Sequence, residues 1–217
     1  MTGRARFASV VLDVDSTLSA IEGIDWLAAR RGREVGARVA ELTDRAMRGE
    51  IALDSVYGAR LALVRPERGE IEALANAYVN GAAADAGTVV RALIDAGVRV
   101  VVVSGGVREA IVPFAASLGV RSTDVHAVSL RFAADGTYEG FDERSPLATA
   151  TGKRDVVDAL DLPAPALAVG DGSTDLAMRS AVAAFAAFTG FVQREPVVAA
   201  AEFVVPSFTS LQELVLA

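Results

Sequence analysis

Three short runs most constrain the fold: VVLDV (residues 10–14), VRVVVV (98–103) and ALAV (166–169). Each is apolar at nearly every position rather than at every second one. That is the pattern of a strand covered by helices on both faces. Amphipathic stretches with helical spacing alternate with them: TVVRALIDAG (88–97), REAIVPFAASLG (108–119), GKRDVVDALD (152–161) and DLAMRSA (175–181). AAFAAF (183–188) and EFVVP (202–206) read as further strands, and FTSLQELVL (208–216) as a last helix opened by a Thr or Ser cap. The alternation predicts an α/β fold, a Rossmann-like parallel sheet core flanked by helices. SLRFAADGTYEGF (129–141) departs from it, because two alternating segments around Asp135-Gly136 predict a β-hairpin.

Residues 19–83 also break the alternation. IDWLAARRG, VAELTDRAMRGE, LDSVYGARLALV and EIEALANAYVN are helical in pattern, and no clear strand lies among them. Their place directly after the first strand predicts a small helical cap, residues 19–83, inserted into a core made of residues 1–18 and 84–217. Trp26, Leu27 and Ala28 read as cap core, and the runs RARF and AARRGR as solvated faces.

Composition excludes several classes. A formal charge of −7 argues against nucleic acid as a partner, since a binder of polyanions shows a basic face. The longest apolar stretch, AVAAFAAF (181–188), falls far short of the ~18 residues of a membrane span. Asp13 interrupts the first apolar run too early for a secretory signal. With no cysteine there is no disulfide framework and no thiolate ligand or nucleophile, which favours a cytoplasmic protein.

The informative residues are the polar groups where the apolar runs stop. Asp13 and Asp15, at i and i+2, face the same side as the chain leaves the first strand. Ser104-Gly105-Gly106 follows the second run as a tight turn, Asp171 to Asp175 follow the third, and Lys153 opens a helix behind Thr151-Gly152. In an open α/β sheet the ligand crevice lies outside the carboxyl ends of the strands, so all of these fall at one edge. Asp13, Asp15, Asp171 and Asp175 crowd four carboxylates there with Lys153 alone opposing them. Such a group needs a cation or protons, and a hard divalent ion with oxygen ligands, Mg²⁺, answers the need. The set fits phosphoryl transfer: Asp13 as nucleophile, Asp15 as acid then base, Ser104 and glycine N–H groups on phosphate oxygens, Lys153 on the transferring group. His126, without a second histidine or ligand spacing, reads as structural.

These residues, in this order, resemble the haloacid-dehalogenase superfamily of phosphatases. DVDST (13–17) matches its first motif, VVVVSGG (100–106) its second with Ser104, Lys153 its third, and GDGSTD (170–175) its fourth. Within the superfamily the chain is similar to the phosphoserine phosphatase family. Ser16 stands where many relatives carry glycine, and TDRAMRGEIALDSVYGARLALV (43–64) follows that family's cap pattern of threonine, Ala-Met, glycine and arginine. The resemblance implies a Mg²⁺-dependent hydrolase of O-phospho-L-serine, acting in the last step of serine biosynthesis through an aspartyl-phosphate, as a monomer or homodimer. It implies metal ligation by Asp13, Asp15 and Asp171 with Asp175 in support, and substrate contacts from Glu22, Arg60, Ser104, Gly105, Lys153 and Thr174. Glu22 would meet the substrate ammonium and Arg60 its carboxylate, a sensible pairing for an acid and a planar fork. On chemistry alone Glu22 also reads as a first-turn acid favourable to the helix dipole, and Arg60 as a solvated arginine. Val107 and Val128 depart from the family's phenylalanine and asparagine, and the cap is lengthened around AARRGREVGARV. Two other readings stay open: a related phosphatase or phosphotransferase for another small phosphorylated amino acid or alcohol, and a catalytically idle phospho-metabolite-binding protein.

Overall fold

The structure is a computed structural model that describes residues 5–47, 50–51 and 53–217. In chain order, β1 (Ser9–Leu12) is followed by helices α1 (Gly23–Arg30), α2 (Arg33–Met47), α3 (Leu53–Val64) and α4 (Arg68–Asn80). Then come α5 (Ala86–Asp95), β2 (Arg99–Val107), α6 (Arg108–Leu118) and β3 (Val125–Val128). The hairpin of β4 (Leu130–Phe132) and β5 (Tyr138–Phe141) precedes α7 (Gly152–Ala159) and β6 (Ala166–Gly170). Last are α8 (Ser173–Leu176), β7 (Ala184–Phe188), α9 (Glu195–Ala200), β8 (Phe203–Val205) and α10 (Phe208–Leu216).

The main sheet has six strands in the order β3-β2-β1-β6-β7-β8, every neighbouring pair parallel. The apolar runs supply its middle: Val10, Val11, Leu12, Val101, Val102, Leu167, Ala168 and Val169 are fully buried. Helices cover both faces because each presents an apolar stripe. In α6 the stripe is Ala110, Ile111, Phe114, Ala115 and Leu118, and Gly119, at φ 100°, ends the helix in a left-handed turn. The Ser207 side chain caps α10 by accepting from Ser210 N at 3.1 Å. From β1 the order steps to β2 and β3 on one side and to β6, β7 and β8 on the other. The switch point therefore opens between β1 and β6, where Asp13 and Asp171 stand.

Three local expectations need correction. Ser104-Gly105-Gly106 is not a tight turn but an irregular continuation of β2, whose register with β3 slips between Val103 and Val107. DLAMRSA does not hold one helix: α8 passes into a 3₁₀ turn at Ala177–Ala181. Arg31, in the AARRGR run, is only partly solvated and ties α1 to α4 through Glu70 and to the end of α3 through Val64 O. Arg4 of RARF and Gly49 of the threonine-to-arginine pattern lie outside the described residues. Within residues 19–83, α1, α2 and α3 pack on one another, while α4 lies along α6 with Tyr78 stacked on Phe114 at 5.6 Å between ring centroids.

Candidate active site

Close backbone approach builds the site. A Cβ on Gly152 would lie 1.7 Å from Pro146 O, so only glycine lets α7 begin against the 3₁₀ turn at Pro146–Ala148. The next residue, Lys153, is thereby sent inward and is buried. A Cβ on Gly170 would lie 2.2 Å from Asp175 Cγ, so the end of β6 leaves room for the Asp175 carboxylate to fold back over it. Asp175 Oδ2 accepts from Gly172 N at 2.9 Å, and its Oδ1 accepts from Lys153 Nζ at 2.6 Å.

Lys153 Nζ also lies 2.6 Å from Asp13 Oδ1. The one ammonium therefore bridges the Asp13 and Asp175 carboxylates. Asp171 takes Arg194 Nε on Oδ2 at 3.0 Å and Thr17 Oγ1 on Oδ1 at 3.4 Å. One carboxylate oxygen from each of Asp13, Asp171 and Asp175 lies within 4.8 Å of the others. The Asp15 carboxylate is not in this group, whereas that of Asp175, expected in support, is. The reason is local: Asp15 Oδ1 accepts from Tyr78 OH at 2.6 Å and Oδ2 from Gly23 N at 3.3 Å.

The charges do not balance. Burial and the neighbouring Asp175 push the Asp13 carboxyl well above the usual range, against the pull of Lys153. Burial and Asp175 raise Asp171 to about 6, opposed by Arg194. Burial and the Glu22 charge raise Asp15 to about 7, opposed by hydrogen bonds from Tyr78 and Gly23. Burial disfavours the Lys153 ammonium, but Asp13 and Asp175 outweigh it and keep it protonated. A surplus of buried carboxylate oxygens fits a hard divalent cation, which could be held by Asp13, Asp171 and Asp175. These raised values also fix a sign. The folded protein holds protons that the unfolded chain has released above about pH 4, so their contribution to stability is lost as pH rises through about 6 and 7. Metal-free protein is expected to lose thermal stability between about pH 5 and pH 8, and millimolar Mg²⁺ to restore it at the upper end. A melting temperature indifferent to pH and to chelator over that range would refute the surplus.

A cavity of about 350 Å³ collects every candidate catalytic, metal or substrate residue of the sequence: Asp13, Asp15, Glu22, Arg60, Ser104, Gly105, Lys153, Asp171, Thr174 and Asp175. Ser104 Oγ accepts from Gly106 N at 3.0 Å. Glu22 is the residue before α1, yet its carboxylate does not cap that helix; it accepts from Ser16 Oγ at 2.7 Å. Ser16 holds a left-handed φ of 53°, a conformation that favours glycine. Arg60 enters from α3, pairs with Asp25 at 2.5 Å, and keeps a buried Nε without a partner among the described residues.

Sequence reasoning missed three lining or supporting residues. Tyr57 lines the cavity beside Arg60, its buried hydroxyl without a partner among the described residues. Arg194, on Asp171, sits in a stretch with no motif. Tyr78 completes an apolar stripe with Ile71, Leu74 and Ala75, so its spacing reads only as helix core.

With that geometry in place, the comparisons with known proteins are decisive. The family model for haloacid dehalogenase-like hydrolase matches residues 10–180. A phosphoserine phosphatase of Rattus norvegicus is 35% identical over 206 residues, covering 94% of this chain and 91% of its own. The chain belongs to the phosphoserine phosphatase family of haloacid dehalogenase-like hydrolases. A phosphoserine phosphatase of Halobacterium salinarum is 39% identical over 178 residues, covering 79% of this chain and 81% of its own. Among solved structures, a phosphoserine phosphohydrolase-like protein from Francisella tularensis shares the fold with a TM-score of 0.81 at 24% identity, covering 95% and 98% of the two chains.

Against the phosphoserine phosphatase pattern, the departures at Val107 and Val128 prove to be one feature. The two are register partners across β2 and β3, both 0% exposed, and neither lines the cavity. No helix among the described residues is long and apolar enough to cross a membrane.

Proposed function

We propose that this phosphatase hydrolyses O-phospho-L-serine to L-serine and inorganic phosphate through a phosphorylated Asp13. The carrying observation is that Glu22 and Arg60, opposite in charge, line the same cavity as Asp13 and Asp15. A zwitterionic head presents an ammonium and a carboxylate, and these two side chains complement both. Residues 19–83, from which Glu22 and Arg60 come, act as the cap over the reacting centre.

An Asp13 oxygen attacks phosphorus while the bond to the serine oxygen breaks, and Asp15 gives that oxygen its proton. Water then attacks phosphorus, Asp15 takes the proton, and the Asp13–phosphorus bond breaks to release phosphate. Lys153 offsets charge on the transferring group, Ser104 and the Gly105 N–H bind phosphate oxygens, and Thr174 offers a hydroxyl to the substrate. Asp13, Asp171 and Asp175 would hold Mg²⁺, which supplies positive charge against the phosphoryl oxygens and the nucleophile.

A second reading has its own observation: Arg60 already pairs with Asp25. If that pair is permanent, the substrate is a phosphomonoester without a carboxylate. Phosphate release from O-phospho-L-serine and from an aryl phosphate, with Mg²⁺ or chelator, separates the two when repeated on Arg60→Ala. The expected result is Mg²⁺-dependent turnover favouring phosphoserine. In Arg60→Ala the KM for phosphoserine rises about 10- to 100-fold, the worth of a charged hydrogen-bonded contact, and the aryl KM stays put. Turnover of the aryl ester alone, or equal loss on both, would remove phosphoserine as the substrate.

A further inference from the structure

We infer that Tyr78 is the positioning residue for Asp15, holding its Oδ1 so that Oδ2 carries the proton to and from the reacting atoms. The inference rests on the acid/base reading of Asp15 above. Tyr78 is 0% exposed, and its hydroxyl donates to Asp15 Oδ1 at 2.6 Å, its one side-chain hydrogen bond among the described residues. The opposite oxygen, Oδ2, accepts only a long bond of 3.3 Å from Gly23 N. One oxygen is thus fixed firmly and the other weakly, as a carboxyl group that must release and recover a proton requires.

The phenol cannot drift. Its ring is stacked on Phe114 at an interplanar angle of 18°. The backbone of α4 is pinned beside the Asp15 turn, with Ser19 Oγ donating to Tyr78 O at 3.1 Å and Ala20 N to Gly81 O at 2.9 Å. The hydroxyl is slotted between two glycines: a Cβ on Gly23 would lie 2.2 Å from it and a Cβ on Gly106 3.3 Å. Three separate segments therefore converge on a phenol whose one polar partner is the acid.

The test is Tyr78→Phe, which keeps the ring and its stacking. A carboxyl group free to turn slows both proton transfers, so kcat on phosphoserine is expected to fall about 10- to 100-fold while KM moves less than about twofold. With p-nitrophenyl phosphate the leaving group departs without needing a proton. Phosphorylation of Asp13 then keeps its rate while hydrolysis slows, and rapid mixing shows a burst of nitrophenol that the wild-type protein lacks. A purely structural role would depress both half-reactions alike and give no burst. Gly23→Ala, whose Cβ displaces the hydroxyl, is expected to match Tyr78→Phe, and the double variant to be no worse than either. Wild-type kcat without a burst in Tyr78→Phe, alongside an inert Asp15→Asn, would overturn the role of Tyr78 alone. Substantial turnover in Asp15→Asn would overturn the acid/base reading and this inference with it.

Discussion

Replacing Asp13 by asparagine is expected to lower turnover at least 10⁴-fold, to the limit of detection, while leaving the fold intact. The amide has the shape of the carboxylate but no nucleophilic oxygen, so no phosphoryl group can be accepted. Stability follows a separate logic. Asp13 sits among buried acids that push its carboxyl upward, and Lys153 keeps Asp175 as a partner at 2.6 Å when Asp13 loses its charge. Removing one charge from a crowded set relieves repulsion, so the melting temperature should stay within a few degrees of the parent. Acid quench after mixing with radiolabelled phosphoserine checks the route directly. The parent protein retains label that hydroxylamine removes, as an acyl phosphate does, and Asp13→Asn retains none. Residual turnover above about one per cent of the parent rate would end the covalent route.

The largest effect on stability is expected from Lys153→Met. The side chain is nearly as long, but the ammonium that pairs with Asp13 and Asp175 is gone, and both acids are buried. Breaking a buried ion pair from one side costs about 3–5 kcal/mol, because the abandoned charge keeps its desolvation penalty. In a chain of 217 residues that corresponds to a fall in melting temperature of roughly 10 °C. The loss should be greatest in chelator and smaller at acid pH, where a proton on Asp13, whose carboxyl is held well above the usual range, substitutes for the missing cation. Added Mg²⁺ should recover part of the stability and little of the turnover, since Lys153 also faces the transferring group. An unchanged melting temperature in chelator would show that the ammonium does not stabilise these two carboxylates in the fold.

How far the sequence could be read depended on whether a residue's role lay in its chain position or in its neighbours. VVLDV, VRVVVV and ALAV were legible as strands because burial on both faces leaves a nearly unbroken apolar run, and the acids at their ends announced the crevice. Glu22 and Arg60 were legible through family resemblance, and both line the cavity. Ser104-Gly105-Gly106 misled because dipeptide chemistry suggests a turn, whereas the slip of β2 depends on its pairing with β3, a four-residue strand that the sequence barely marks. That the Asp15 carboxylate turns away from the other three was invisible for a related reason. Spacing puts Asp13 and Asp15 on one side, but Tyr78, 63 residues away, decides where Asp15 turns. Arg194, 23 residues beyond Asp171, is of the same kind. Contacts that close across elements leave no period to read.

The pairing of Arg60 with Asp25 gives the proposed substrate site an internal competitor. A substrate carboxylate gains at Arg60 only the difference between two ion pairs, one with the substrate and one already present in the protein. Anions that fit the guanidinium less well than Asp25 gain nothing at Arg60. Selectivity in a crowded mixture of anions is then set by a threshold built into the fold, at the expense of raw affinity.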